Sequence, residues 1–150
     1  MALKDQIDQD IKKAMLAKDQ ARLRSLRAIK SAILNAETEK NAGAFDETGE
    51  LKLLQRLVKQ RKESAEIYSQ QNRPDLYEIE KEEQEIIESY LPQQLSRQEV
   101  EQTIRHLVAE SGAASVKDMG KVMGLANKAL SGKADGKTIS EIVREVLTGL

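Results

Sequence analysis

Residues 51–90 carry two apolar stripes that mirror one another across Asn72-Arg73-Pro74. In the first, Leu54, Leu57, Val58, Arg61, Ala65 and Tyr68 recur every three or four residues; in the second, Leu76, Ile79, Glu83, Ile86, Ile87 and Tyr90 do the same. That spacing is one face of a helix. Proline disfavours helix at the residue before it and suits the first turn of a new one. Helices are therefore expected over about 51–71 and 75–90. If they form an antiparallel hairpin, the numbers of facing residues should sum to about 144. Arg61 and Glu83, the charges inside the stripes, do so, and so do Leu57 with Ile87, Val58 with Ile86 and Leu54 with Tyr90. The outer charges Lys59 with Glu85, Lys62 with Glu82 and Glu63 with Lys81 fit the same rule with opposite signs. Arg61–Glu83 is expected as a structural, buried ion pair that sets register rather than adding net stability. The run EIEKEEQEIIE could be read as a metal or acid–base site, but a basic partner helix accounts for it more simply.

The rest of the chain reads as helix too. Leu3, Ile7, Ile11 and Met15 mark a first helix; Asp19 caps a second, with Leu23, Leu26, Ile29 and Ile33 as its stripe. NAGAFDETGE (41–50) has loop composition and separates helices two and three. LPQQLS (91–96) is the expected domain boundary. Ser96 with Glu99 forms a capping box for a helix over about 97–110, which Gly112 ends. Ser115 with Asp118 opens another helix, and Gly132 stops it. Ile139, Ile142, Val143, Val146 and Leu147 line a last one. No strand pattern of useful length occurs. The expectation is an all-α fold, with an N-terminal helical domain of antiparallel hairpins over 1–92 and a C-terminal helical domain over 93–150.

Composition narrows the function. There is no cysteine, which removes disulfides, thiolate zinc sites and cysteine nucleophiles and fits a reducing cytosol, so a cytoplasmic setting is expected. The start MALKDQIDQDIKK lacks the apolar run of a secretory signal, and no stretch is apolar enough to span a membrane. Net charge is −1, so nucleic-acid binding must come from a local patch. Aromatics are 3% of residues, which argues against base stacking as the main mode.

VKDMGKVMGLANKALSGKADGK (116–137) is the most unusual stretch. SGKADGKT is one residue from a phosphate-binding loop, with Ser131 where the pattern needs glycine, and it follows a helix where that loop needs a strand. Gly120 and Gly124 have the spacing of a membrane helix-pairing motif, but Lys121, Asn127 and Lys128 are unsuited to lipid. Each glycine costs about 1 kcal/mol against alanine in a helix. Close packing of another helix is the expected compensation, and close approach of an RNA backbone is the alternative. His106, the sole histidine, lacks partners for a metal site. No serine has an evident His–Asp partnership, so no catalytic residue is assigned. Two basic sets remain. Helix two carries Arg22, Arg24, Arg27 and Lys30; the tail carries Lys117, Lys121, Lys128, Lys133, Lys137 and Arg144. Such clusters suit phosphate contacts, though a solvated lysine face is the simpler alternative.

KDMGKVMG followed by GKADGKTISEIVREVL, together with LVKQRKESAEIYSQQNRPDLYEIEKEE and SYLPQQLS, closely resembles the YqeY family of small bacterial proteins across essentially the whole chain. The second half is also similar to the C-terminal tail domain of GatB, the B subunit of the glutamine-dependent tRNA amidotransferase. The resemblance implies a three-helix tail and a tRNA contact through Gly120, Lys121, Gly124, Gly132, Lys133, Lys137 and Arg144. Lys128 joins this set as a flank of the turn, and helix two supplies a secondary basic surface. It implies no autonomous catalysis, because the amidotransferase's metal-bearing chemistry lies in a large domain for which this chain has no room. The leading expectation is a non-catalytic tRNA-binding or tRNA-metabolism accessory protein, with no cofactor or metal. The alternatives are an adaptor docking on an amidotransferase or an aminoacyl-tRNA synthetase, and a component with carbon–nitrogen ligase activity using glutamine as amido donor. DNA and membrane partners are not expected.

Overall fold

The computed structural model describes residues 2–39 and 45–150. Over these residues the protein is all-helical, without a strand. In chain order it has α1 (Leu3–Ala17), α2 (Gln20–Thr38), α3 (Glu47–Gln70), α4 (Pro74–Glu88), α5 (Arg97–Ser111), a 3-10 turn (Val116–Asp118), α6 (Met119–Ala129) and α7 (Gly136–Thr148). They fall into two compact units, Met1–Leu91 and Pro92–Leu150.

The first unit is built around Ile7, Leu26, Ile29, Ile33, Leu54 and Ile87, all fully buried. Burying one such side chain is worth about 1.5–3 kcal/mol. α1 ends where Lys18 takes a left-handed conformation (φ 55°), and the Asp19 carboxylate then accepts the Arg22 N–H at 3.1 Å to start α2. The core takes Ala14 from α1 rather than Met15, which is 56% exposed. α3 starts at Glu47, earlier than its apolar stripe suggests. The Asp46 carboxylate accepts the Gly49 N–H at 3.0 Å, and Glu47 and Glu50 lie in the first turn, where the helix dipole favours negative charge. The expected loop over 41–50 is thus helical from Glu47, and residues 41–44 lie outside the described residues.

α3 and α4 pack on one another as a hairpin. Its turn carries Asn72 in the left-handed region (φ 57°), with the Arg73 N–H donating to the Tyr68 carbonyl at 2.9 Å. Arg61 Nε lies 2.9 Å from Glu83 Oε2, as the register rule requires. The pair is half-buried rather than fully buried, the side chains being 22% and 15% exposed. Glu83 also reaches Arg24 of α2 at 3.6 Å, so it ties three helices together. The outer charges do not pair as expected. Lys62 reaches Glu88 at 3.9 Å in place of Glu82, and among the described residues no ion pair joins Lys59 to Glu85 or Glu63 to Lys81. These groups are mostly exposed, and long side chains in water gain little by holding one geometry. In α4, Ile79 is 40% exposed, and Gln84 is buried in the region where the stripe predicts an apolar contact.

The second unit is held by Val100, Ile104, Val108, Val122, Ala126, Leu130, Ile142 and Val143. α5 begins with the capping box, the Glu99 N–H donating to Ser96 Oγ at 3.2 Å. It ends at Gly112, whose φ of 72° is a conformation that glycine adopts at little cost. The Asp135 carboxylate accepts the Thr138 N–H at 2.7 Å and starts α7. Between α6 and α7 the chain turns at Gly132 (φ 75°), and residues before α5 pin this turn. The Gln94 amide donates to the Gly132 carbonyl at 2.7 Å and the Leu95 N–H to the Lys133 carbonyl at 3.0 Å.

Candidate nucleic-acid interface

The second unit gathers its lysines through the α6–turn–α7 path. Between Gly112 and Ser140 lie five lysines and two acids, Asp118 and Asp135. Both acids are helix caps. The Asp118 carboxylate accepts the N–H groups of Ala114 (2.8 Å) and Ser115 (3.3 Å), and these bonds hold its pKa below the ordinary carboxylate value. Their charge is directed at backbone amides, so it opposes the lysines less than the count suggests. Lys117, Lys128, Lys133 and Lys137 are exposed, and among the described residues none makes an ion pair. Lys121 differs. Its ammonium donates to the Ser111 carbonyl at 3.0 Å, satisfying an acceptor at the C-terminus of α5. It is a structural cap as well as a surface cation.

Arg144 is exposed on α7 between Glu141 and Glu145. Both acids are taken by Arg97 of α5, at 3.5 and 3.0 Å. Arg97 therefore leaves Arg144 free of its nearest negative neighbours. This contribution does not stand out in the sequence, although two acids four apart on one helix face do signal a missing cation.

The glycines of α6 are not where the packing expectation puts them. A Cβ built on Gly120 or on Gly124 meets nothing within 4 Å, and both residues are exposed. No helix of the second unit approaches them, because the buried face of α6 is Val122 and Ala126. Their helix penalty is thus uncompensated inside the unit. Gly120→Ala and Gly124→Ala are each expected to raise stability by about 1 kcal/mol, measurable by urea denaturation. Gly132 is a different case, required by its left-handed backbone.

The basic set of α2 belongs to the first unit and is largely engaged there. Lys30 pairs with Asp8 at 2.6 Å and Arg24 with Glu83 at 3.6 Å. Arg22 lies beside Tyr90, whose hydroxyl donates to Asp10 at 2.5 Å. Burial, and then that bond, push the tyrosine's pKa up. Arg27 remains exposed. The partners come from α1 and α4, so the stretch from Gln20 to Ala36, which holds no acid of its own, still presents little open positive charge.

Among the described residues no group of three or more His, Asp or Glu side chains is placed to hold a metal ion. An open groove between α2 and α3 is floored by Ala32, Ala36, Leu53 and Leu57, and Glu39 is the one carboxylate among its described lining residues. His106 lies on the surface with Glu110 at 3.1 Å. No described helix is long and apolar enough to cross a membrane.

A family model described as "Yqey-like protein" matches residues 4–147. The chain belongs to this Yqey-like family. Curated relatives include three yeast proteins, each named "Altered inheritance of mitochondria protein 41, mitochondrial". The protein of Lachancea thermotolerans is 38% identical over 69% of this chain and 57% of its own length. That of Clavispora lusitaniae is 39% identical over 73% and 64%. That of Kluyveromyces lactis is 34% identical over 89% and 69%. The chain thus spans less than two thirds of the length of the first two. These names overturn the expectation of a cytoplasmic setting, and the family is not confined to bacteria. The physical reason is plain: a lack of cysteine excludes disulfides but does not distinguish one compartment from another.

Proposed function

We propose that this Yqey-like chain is a non-catalytic accessory protein that binds tRNA through the α6–turn–α7 surface. The observation that carries the reading is the lysine set Lys117, Lys128, Lys133 and Lys137, exposed and only weakly opposed because both local acids cap helices. Lysines so placed suit contacts to phosphate, which are driven by charge and blind to sequence. The open glycine face of α6 supports the same reading, since a helix without side chains at 120 and 124 lets a ribose–phosphate backbone come close. Structured RNA is recognised largely through such shape and backbone contacts. The likeness of the second half to the amidotransferase tail points in the same direction, and the relatives' names favour a mitochondrial setting for this activity.

Filter binding of bulk tRNA across a salt series tests the reading. Binding that weakens steeply with salt is expected. No binding at low salt would remove the proposal, and a salt-insensitive signal would remove its electrostatic basis. The same glycine face also fits a protein helix, as an adaptor for an amidotransferase or synthetase requires. A partner retained after nuclease treatment, with no affinity for tRNA, would favour that second reading. Ammonia-dependent amidation of Glu-tRNA(Gln) by the purified chain is expected to be nil.

A further inference from the structure

We propose that the α1–α2 turn of the first unit is a peripheral contact for the surface of an anionic phospholipid bilayer. Leu16 is 86% exposed and Met15 beside it 56%, the two most water-exposed large apolar side chains among the described residues of the unit. They do not face the core. α1 buries Leu3, Ile7 and Ala14, and Leu16 stands about 160° around the helix from Ala14 at 3.6 residues per turn. Lys12 and Lys13 lie three to four residues before Leu16, on the same outward face. Lys18 follows in the turn itself. All three lysines are exposed, and among the described residues none lies within 4 Å of a carboxylate.

The acids nearest in sequence are already engaged. Asp8 pairs with Lys30, Asp10 accepts the Tyr90 hydroxyl, and Asp19 caps α2. The helix dipole favours Lys18 at the C-cap, and the last turn of α1 holds no basic residue. The dipole therefore accounts neither for Lys12 and Lys13 nor for a leucine and a methionine held in water beside them. Apolar side chains ringed by unpaired cations match an anionic bilayer, where the lysines meet lipid phosphates and the apolar groups enter the acyl boundary. An RNA surface would satisfy the lysines and leave Leu16 in water. A protein partner would need a socket for Leu16, whereas lipid conforms to a protruding side chain. The charge pattern therefore selects the bilayer.

Vesicle flotation with the full chain tests this, using phosphatidylcholine with and without phosphatidylglycerol. Binding is expected to the anionic vesicles alone and to fall with salt. Met15→Ser/Leu16→Ser should reduce it at least about tenfold by removing apolar burial. Lys12→Gln/Lys13→Gln should reduce it by about tenfold or more at low salt. Both variants alter exposed positions and should keep the wild-type circular dichroism and tRNA affinity. Equal binding to neutral vesicles, no binding to either, or an unchanged Leu16 variant would overturn the proposal. A concentration-dependent mass that Leu16→Ser abolishes would overturn it too, by assigning the turn to a second copy of the chain. Loss of tRNA affinity in the lysine variant would assign it to RNA.

Discussion

Glu83→Ala is expected to lower the stability of the first unit by about 1–3 kcal/mol, while Glu82→Ala one residue away stays within about 0.5 kcal/mol. Glu83 lies against Arg61 at 2.9 Å and Arg24 at 3.6 Å, and its side chain is 15% exposed. Glu82 is exposed and makes no ion pair among the described residues. Removing one member of a half-buried pair leaves the other charge without its counter-charge, which costs more than the pair contributes. The loss stays below that of a fully buried pair because Glu80 lies 3.9 Å from Arg61 and can take part of the contact. Burial, and secondarily the charge of Glu83, hold the pKa of Glu80 above its ordinary value while Arg61 opposes the shift. Removing Glu83 therefore also lets Glu80 ionise more readily beside Arg61. Replacing both Arg61 and Glu83 by leucine should come close to wild-type stability, since a well-packed apolar pair avoids the desolvation of two charges. Urea denaturation of the four proteins checks the order. Equal midpoints for the Glu83 and Glu82 variants would show that the three-helix tie has no energetic role.

This pair also shows what the sequence exposes and what it hides. Arg61 and Glu83 interrupt apolar stripes, and a charge at a core position has few ways to be satisfied, so its partner was legible from spacing alone. Lys62 could be placed on the right helix face but not given its partner, because an exposed lysine has many positions of similar energy. Helix starts were legible where a capping residue adjoined the apolar pattern, as at Asp19 and Ser96. The start of α3 was obscured because Asp46 precedes ETGE, whose composition resembles a loop until the cap is counted. In the candidate site, the lysines could be listed from sequence but their electrostatic setting could not. Whether Asp118 and Asp135 oppose them depends on where the carboxylates point, and both point at backbone amides. The glycines of α6 were misread for the same kind of reason. Their spacing suggests close packing but cannot say whether the neighbour lies inside the chain, and a Cβ at either position meets open space.

The triple variant Lys128→Gln/Lys133→Gln/Lys137→Gln is expected to weaken tRNA binding by about 10–100-fold at low salt. The salt slope should shallow in proportion, by roughly two to three, because each phosphate contact contributes a slope of a little under one. The fold should survive. All three side chains are exposed, and the contacts that fix the turn are made by backbone carbonyls of Gly132 and Lys133 with Gln94 and Leu95. Lys121 is left intact because its bond to the Ser111 carbonyl would confound binding with stability. Removing three charges from the exposed side of α3, as Lys52→Gln/Arg56→Gln/Lys59→Gln, controls for net charge and should change affinity little. If the two triple variants weaken binding equally, the protein acts as a diffuse polyelectrolyte and the tail has no defined interface. If the tail variant binds as wild type while Arg22→Gln/Arg27→Gln does not, the first unit carries the contact. Gly120→Ala/Gly124→Ala then separates backbone approach from charge alone. A variant more stable than wild type, with an unaltered salt slope and a lower affinity, has lost shape complementarity and nothing else.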